Sequence, residues 1–291
     1  MNSILYIVAT PIGTLGDFSP RAREILSQVA FIACEDTRHT AKLLSHFAIR
    51  TPTVALHEHN EAARSESLIN RLLDSNPSSA AIVSDAGMPC ISDPGSKFVA
   101  EARSKGVKIL SVPGPSSLTC AVAASGFLQP RILFSGFLGR NTKDQEEEFK
   151  KWRQCAPAIA VFFESPNRVI DTLTRLQKSF GDTIQVCVSR EISKQYEEHI
   201  HGEVHKVIDQ LNAKESVMGE CAICVDLNES FKLEEFAPRE IGELAHEILN
   251  NPDDRSLKER SRILAEKYGH AAKDIYNRVQ ELKRETDSER D

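Results

Sequence analysis

No apolar run in this chain approaches the roughly 20 residues that a membrane-spanning helix needs. The opening MNSILYIVATP has neither a basic leader region nor a signal-cleavage pattern. Both absences point to a soluble, cytoplasmic protein. Cysteine is sparse and odd in number: seven, scattered at 34, 90, 120, 155, 187, 221 and 224. That pattern suits buried free thiols in a reducing compartment better than a paired disulfide framework. One Trp and four Tyr are too few for a stacking platform on single-stranded nucleic acid. The glycine signatures GxGxxG and GxxxxGK[ST] are both missing, since the first turn reads ATPIGTLGD, which argues against a cofactor gripped by its phosphates. His57 with His59, and His199 with His201, sit two apart as on strand faces but have no local third ligand, and no metal is expected.

What is present is a βαβα rhythm. At 291 residues and 41% hydrophobic, the chain is long enough for two domains and an appendage. Apolar runs at 4–8, 31–34, 53–56, 80–83 and 108–112 alternate with helical spacing, and the alternation predicts a doubly wound α/β domain over 1–115. It restarts at 132–135, 158–163, 183–189, 197–202 and 221–227, which predicts a second α/β domain over 116–231. Beyond Lys232 only helical periodicity remains, so 232–291 reads as a small helical tail, joined near Pro238 and hinged at Gly269 like a helix-turn-helix.

Chemistry gathers just past the strands. These ends read ATPIGTLGD, CEDTRHT, HEHNE, VSDAGMPCISDPG, VPGPSS, FESPNR and SREISK. Carboxyl ends of parallel strands point one way, so these segments are expected to converge on one crevice. In the fourth, Gly87 and Gly95 permit close backbone approaches, while Pro89 and Pro94 stiffen the loop. A ligand with an adenosine part and a zwitterionic tail but no phosphates, such as S-adenosylmethionine, suits such loops, as do sugars and nucleosides.

Taken together, IVATPIGTLGDFSPRA, ACEDTRHTAKLL, HEHN, VSDAGMPCISDPG, VPGPSS, FSGFLGR and FFESPNRV resemble the family of small-subunit ribosomal RNA methyltransferases I, within the tetrapyrrole methylase superfamily. The resemblance runs from residue 4 to about 227 and more loosely through the tail. It implies two α/β domains with S-adenosylmethionine in the cleft between them, a homodimer, and 2′-O-methylation of a cytidine in the decoding region of 16S rRNA in the 30S subunit. Carried over residue by residue, the cofactor contacts fall on Pro11, Asp85, Gly87, Ile91, Ser116 and Ser117, with backbone near Phe163 and Ala222 covering the adenine.

The acceptor hydroxyl must lose its proton, and Asp36, His57, Glu58, Glu164 and Glu191 are the candidate bases. Glu164 and Asp36 are favoured, with Arg38 beside them. Arg38, Arg168 and Arg190 are available for phosphates flanking the ribose, and His57 and Asn60 for the substrate. Glu164 and Arg168, four apart at a helix start, equally read as a pair of their own. CAIC at 221–224 has CxxC spacing, yet in a strand its two thiols face opposite sides.

Net charge is −6, but 255–284 carries nine basic residues against four acidic, a local excess of +5. The tail could lie along phosphate backbones, support a dimer or simply be solvated. NTKDQEEEF after FLGR is acidic, which argues against RNA contact by this segment. A tetrapyrrole-type small-molecule methylase would use the same cleft without needing a basic tail. A non-enzymatic RNA-binding protein would keep the tail without needing an organised crevice.

Overall fold

The computed structural model describes residues 3–231, 240–251, 255–268 and 270–288. Pro238 and Gly269, the expected junction and hinge of the tail, lie outside them. Two compact units result, Met1–Lys232 and Leu233–Asp291.

The first unit begins with β1 (Ile4–Val8), α1 (Pro20–Gln28), β2 (Phe31–Cys34), α2 (Thr37–His46), β3 (Thr53–Ala55), α3 (Glu61–Asp74), β4 (Ser79–Val83), α4 (Ser96–Ser104) and β5 (Lys108–Val112). The five strands form one parallel sheet in the order β3-β2-β4-β1-β5. Alternation along the strands builds a core on each face: Phe31, Ala33, Ala80 and Ile82 point to one, Ile32, Cys34, Ala81 and Val83 to the other. Burial on both faces is why these strands read as unbroken apolar runs. Local chemistry sets the helix starts. Ser19 accepts the Ala22 N–H ahead of Pro20, and Asp36 accepts the Arg38 N–H at α2.

The chain continues through α5 (Ser117–Ser125), β6 (Ile132–Phe137), α6 (Thr142–Cys155), β7 (Ala158–Glu164), α7 (Val169–Phe180), β8 (Gln185–Arg190), β9 (Glu198–Glu203), α8 (Val204–Asn212) and β10 (Cys221–Leu227). The second sheet has the order β6-β7-β10-β8-β9 and is mixed. β10 runs antiparallel to both β7 and β8, and β9 is antiparallel to β8. The seven segments picked from the sequence follow β1–β5, β7 and β8, which run parallel within their sheets; β6, β7 and β8 deliver their carboxyl ends to the site, whereas β10 delivers its amino end. An apolar run carries no sign of its direction.

In β10, Cys221 belongs to the core that holds Phe162 and Val188, while Cys224 packs on the other face with Val161 and Cys187. The CxxC pair is thus split across the sheet. Four thiols are buried (34, 187, 221 and 224), but Cys120 is exposed and Cys90 and Cys155 are half-buried, so burial does not explain all seven. Among the described residues no His/Cys/Asp/Glu cluster could hold a metal ion, and no helix is long and apolar enough to cross a membrane.

The second unit comprises α9 (Ile241–Asn250), α10 (Leu257–Tyr268) and α11 (Ala272–Ser288), which share a core of Leu244, Ala245, Ile248, Ala265, Ile275, Val279 and Leu282.

Candidate active site

In the first sheet the connection from β1 leads across to β2 on one side and that from β4 leads to β5 on the other. Each connection passes over the other's strand, α1 packing on one face of the sheet and α4 on the other, so the loops leaving β1 and β4 turn to opposite faces and leave a crevice between them. Thr10 and Gly87 join the two loops by reciprocal N–H to carbonyl bonds of 2.9 and 3.1 Å. Gly87 has φ +85°, a region that disfavours side chains, and a Cβ there would stand 3.3 Å from Ile12 Cγ2.

The opposite wall comes from the second sheet. Phe163 and Glu164 end β7, Cys221 and Ala222 begin β10, and Glu191, Ile192 and Lys194 follow β8. Together these segments enclose a cavity of about 350 Å³, within the range of small-molecule sites. A clasp joins the walls: the Thr14 N–H and hydroxyl both donate to the Ser193 carbonyl, at 2.8 and 2.7 Å, and the Ser193 hydroxyl donates to Asp17. Glu191 and Ser193 hold φ of +52° and +64°, uncommon for residues with side chains, so the clasp fixes a loop that would not adopt this path alone. Gly219 lets Glu191 lie against the backbone, since a Cβ there would stand 2.0 Å from Glu191 Oε1.

Two features define what the cavity can accept. Ser116 caps α5 without spending its hydroxyl on the helix, and Ser116 and Ser117 line the cavity, so the first-turn N–H groups and a hydroxyl face any carboxylate placed there. The lining also carries five carboxylates, Asp85, Asp93, Glu164, Glu191 and Glu220, against the single amine of Lys194. Such a field favours a cationic centre and repels phosphate.

Burial pushes the Asp93 carboxyl up to about 6, with Glu35, Asp85 and Glu220 adding in the same direction and a hydrogen bond from Ser84 opposing them. Burial likewise pushes the Cys221 thiol up to about 11, leaving it protonated and inert at neutral pH.

Of the expected cofactor contacts, Asp85, Gly87, Ile91, Ser116, Ser117, Phe163 and Ala222 line the cavity. Pro11 does not, and Ile12 stands in its place. Glu164 lines it with a side chain that is 0% exposed. Its Oε1 accepts the Ser165 N–H at 2.8 Å and pairs with Arg168 at 2.5 Å, and its Oε2 accepts the Thr172 hydroxyl at 2.8 Å. Three donors thus hold the Glu164 carboxylate in place.

The remaining expected residues stand outside the lining. Asp36 and Arg38 bond each other at 2.9 Å, and that bond, first, with the Arg38 backbone N–H, holds the Asp36 carboxyl far below the usual range. A carboxylate so stabilised is a poor base. His57 and Asn60 close a turn on themselves beyond the edge strand β3: Asn60 Oδ1 accepts the His57 N–H and Asn60 Nδ2 meets His57 Nε2, both at 2.9 Å. His57 and His59 therefore share a turn, not a strand face. Arg190 is spent on Glu198 and the Met218 carbonyl.

Sequence reasoning missed Ile12, Met88, Lys194, Glu220 and the titration of Asp93. The last had a visible signal, an Asp inside the stiffest loop of the chain. Two of its perturbers, Glu35 and Glu220, lie on distant segments, after β2 and before β10.

The model of the family described as Tetrapyrrole (Corrin/Porphyrin) Methylases matches residues 4–208. The chain belongs to this family. Within the tetrapyrrole methylases, it is 42% identical to the Ribosomal RNA small subunit methyltransferase I of Xylella fastidiosa, over 76% of this chain and 80% of that one. It is 35% identical to the protein of the same name from Pasteurella multocida, over 95% and 96%. Among solved structures, a diphthine synthase superposes with a TM-score of 0.57 at 14% identity, over 77% of this chain and 90% of that one. The uroporphyrin-III C-methyltransferase of Thermus thermophilus, solved with S-adenyl homocysteine, does so with 0.53 at 15%, over 78% and 98%. At such identities these two speak for the fold alone.

Proposed function

We propose that this protein transfers the methyl group of S-adenosylmethionine to 16S ribosomal RNA, at the 2′-hydroxyl of a cytidine in the decoding region, acting on the small subunit in the cytoplasm. The carrying observation is the acidic, phosphate-averse cavity built at the switch point of a tetrapyrrole methylase fold, in a chain that matches relatives named for small-subunit rRNA methylation along 95% of its length.

The residues fit the cofactor. Ile12, Phe163 and Ala222 offer apolar walls for an adenine, the α5 amino end offers donors for a carboxylate, and the surrounding carboxylates suit an ammonium and a sulfonium. Bound there, S-adenosylmethionine supplies a methyl group activated by its sulfonium charge. The protein's own contribution is placement. Gly87 admits the ligand beside Ile12, the Thr14–Ser193 clasp holds the two walls at a fixed spacing, and the Glu164–Arg168–Thr172 network braces the lining beneath them. Aligning two reactants in this way can supply on the order of 7–11 kcal/mol of the barrier reduction.

A homodimer is part of this reading. Leu128, 93% exposed, and Ile132, 57% exposed, flank the start of β6, an open edge of the second sheet, and an apolar edge of this kind favours a partner. The deciding experiment offers methyl-labelled donor to the purified protein with either small ribosomal subunits or a porphyrinogen. Label is expected in 16S rRNA alone. Label in the porphyrinogen would establish the small-molecule methylase instead.

A further inference from the structure

Family membership does not say which group takes the proton from the acceptor hydroxyl. Three of the five lining carboxylates are paired with cationic side chains. Glu164 is closed by Arg168, Thr172 and Ser165. Glu191 and Glu220 share Lys194, at 2.9 and 3.7 Å. Asp85 accepts the Asp36 N–H at 3.3 Å. Asp93 lines the same cavity half-buried and, like Asp85, has no cationic partner among the described residues; where Asp85 is oriented by a backbone N–H, Asp93 meets only the Ser84 hydroxyl. Its place is fixed from both sides: Ser92 before it holds φ +62°, and Gly95 after it is anchored by its N–H to Glu61 at 3.0 Å.

We propose that Asp93 is the general base of the transfer, a role that rests on the methyltransferase reading above. An oxygen lone pair of the acceptor hydroxyl forms the new C–O bond, the C–S bonding pair leaves with the donor sulfur, and the hydroxyl proton passes to the Asp93 carboxylate while the O–H pair stays on oxygen. Charge balances throughout. A carboxylate and a sulfonium are replaced by a neutral acid and a neutral thioether, so the proton affinity of Asp93 rises as the cation beside it disappears.

The groups acting on Asp93 are Glu35 from the end of β2, Asp85 on its own loop and Glu220 before β10, all raising its proton affinity, and Ser84 lowering it. Cys90 on the same loop is neutral at working pH, since burial pushes its thiol up to about 11. Lys194 with Glu191, and Arg168 with Glu164, stand in or beside the cavity as internally paired charges, as does Asp36 with Arg38. His57 bears on Glu35, where it opposes the upward shift.

The test uses Asp93→Asn in the full chain, with two readouts. Single-turnover transfer to small subunits is expected to fall by ~10²–10⁴-fold, while S-adenosylhomocysteine still binds as in wild type. Binding calorimetry near pH 6, in buffers of different ionisation enthalpy, reads protons directly. Wild type is expected to release a fraction of a proton on binding S-adenosylmethionine and none on binding S-adenosylhomocysteine, whose sulfur is neutral, and Asp93→Asn is expected to release none with either. A variant that retains the wild-type rate, a variant whose thioether affinity falls as far as its rate, or a wild type with equal proton counts for both ligands would each overturn the proposal. A wild type that binds the donor but labels no small subunit overturns the parent reading, while the proton count still reports on Asp93 itself.

Discussion

At the scale of single residues, the site rests on side chains that are absent or uncomfortable. Gly87 is the first kind. Its φ of +85° and the 3.3 Å approach to Ile12 leave no room for a branched side chain, in the wall or in the space a ligand would use. Gly87→Val is expected to abolish calorimetrically detectable S-adenosylmethionine binding, with circular dichroism showing the fold retained. Asp93 is the second kind. Its value near 6 lies above the ordinary carboxylate value of about 3.9, so the folded state favours the protonated form, and native stability falls as pH rises from about 4 through about 6. Asp93→Asn should therefore stabilise the protein near neutral pH, by about 1–2 kcal/mol once solvent screening of a half-buried group is allowed for. Urea unfolding should show that gain and should show it vanish near pH 4, where both states are protonated. Neither residue hid in the sequence, since both lie in VSDAGMPCISDPG. The glycine was legible because turn chemistry is local. The tuning of Asp93 was not, because Glu35 and Glu220 reach it only through the tertiary fold.

At the scale of elements, the amino end of α4 carries the loop that carries the site. Glu61, at the start of α3 and only 5% exposed, accepts the N–H groups of Gly95, Lys97 and Phe98 on one oxygen, at 3.0, 2.7 and 3.1 Å. It does for α4 what a cap would do from within the chain, and it ties the far end of the 84–95 loop to the sheet's edge. Glu61→Ala is expected to cost roughly 1.5–3 kcal/mol in unfolding free energy and to weaken cofactor binding, and Glu61→Gln, which keeps an acceptor, to recover most of both. No local signal marks this Glu, which reads as one more polar residue in HEHNE. The same limit explains β10. CAICVDL declares a buried strand by its composition, and pairing against β7 and β8 alone decides that it enters the site by its amino end. Asp36 with Arg38 and His57 with Asn60 are functional residue types that the fold joins to each other outside the cavity lining, by an ion pair and by hydrogen bonds.

At the scale of the molecule, the cavity and the basic helices belong to different compact units. Cofactor binding should survive removal of everything after residue 231, while transfer to small subunits should drop at least tenfold and lose part of its salt dependence, as phosphate contacts would require. Titration calorimetry and filter-captured label at two ionic strengths would read both. The most direct test of the whole account is mass spectrometry of 16S rRNA fragments from cells with and without this protein. The account predicts one cytidine in the decoding region that carries a ribose methyl only when the protein is present, and loses it with Asp93→Asn. Identical fragment masses in the two strains would contradict it.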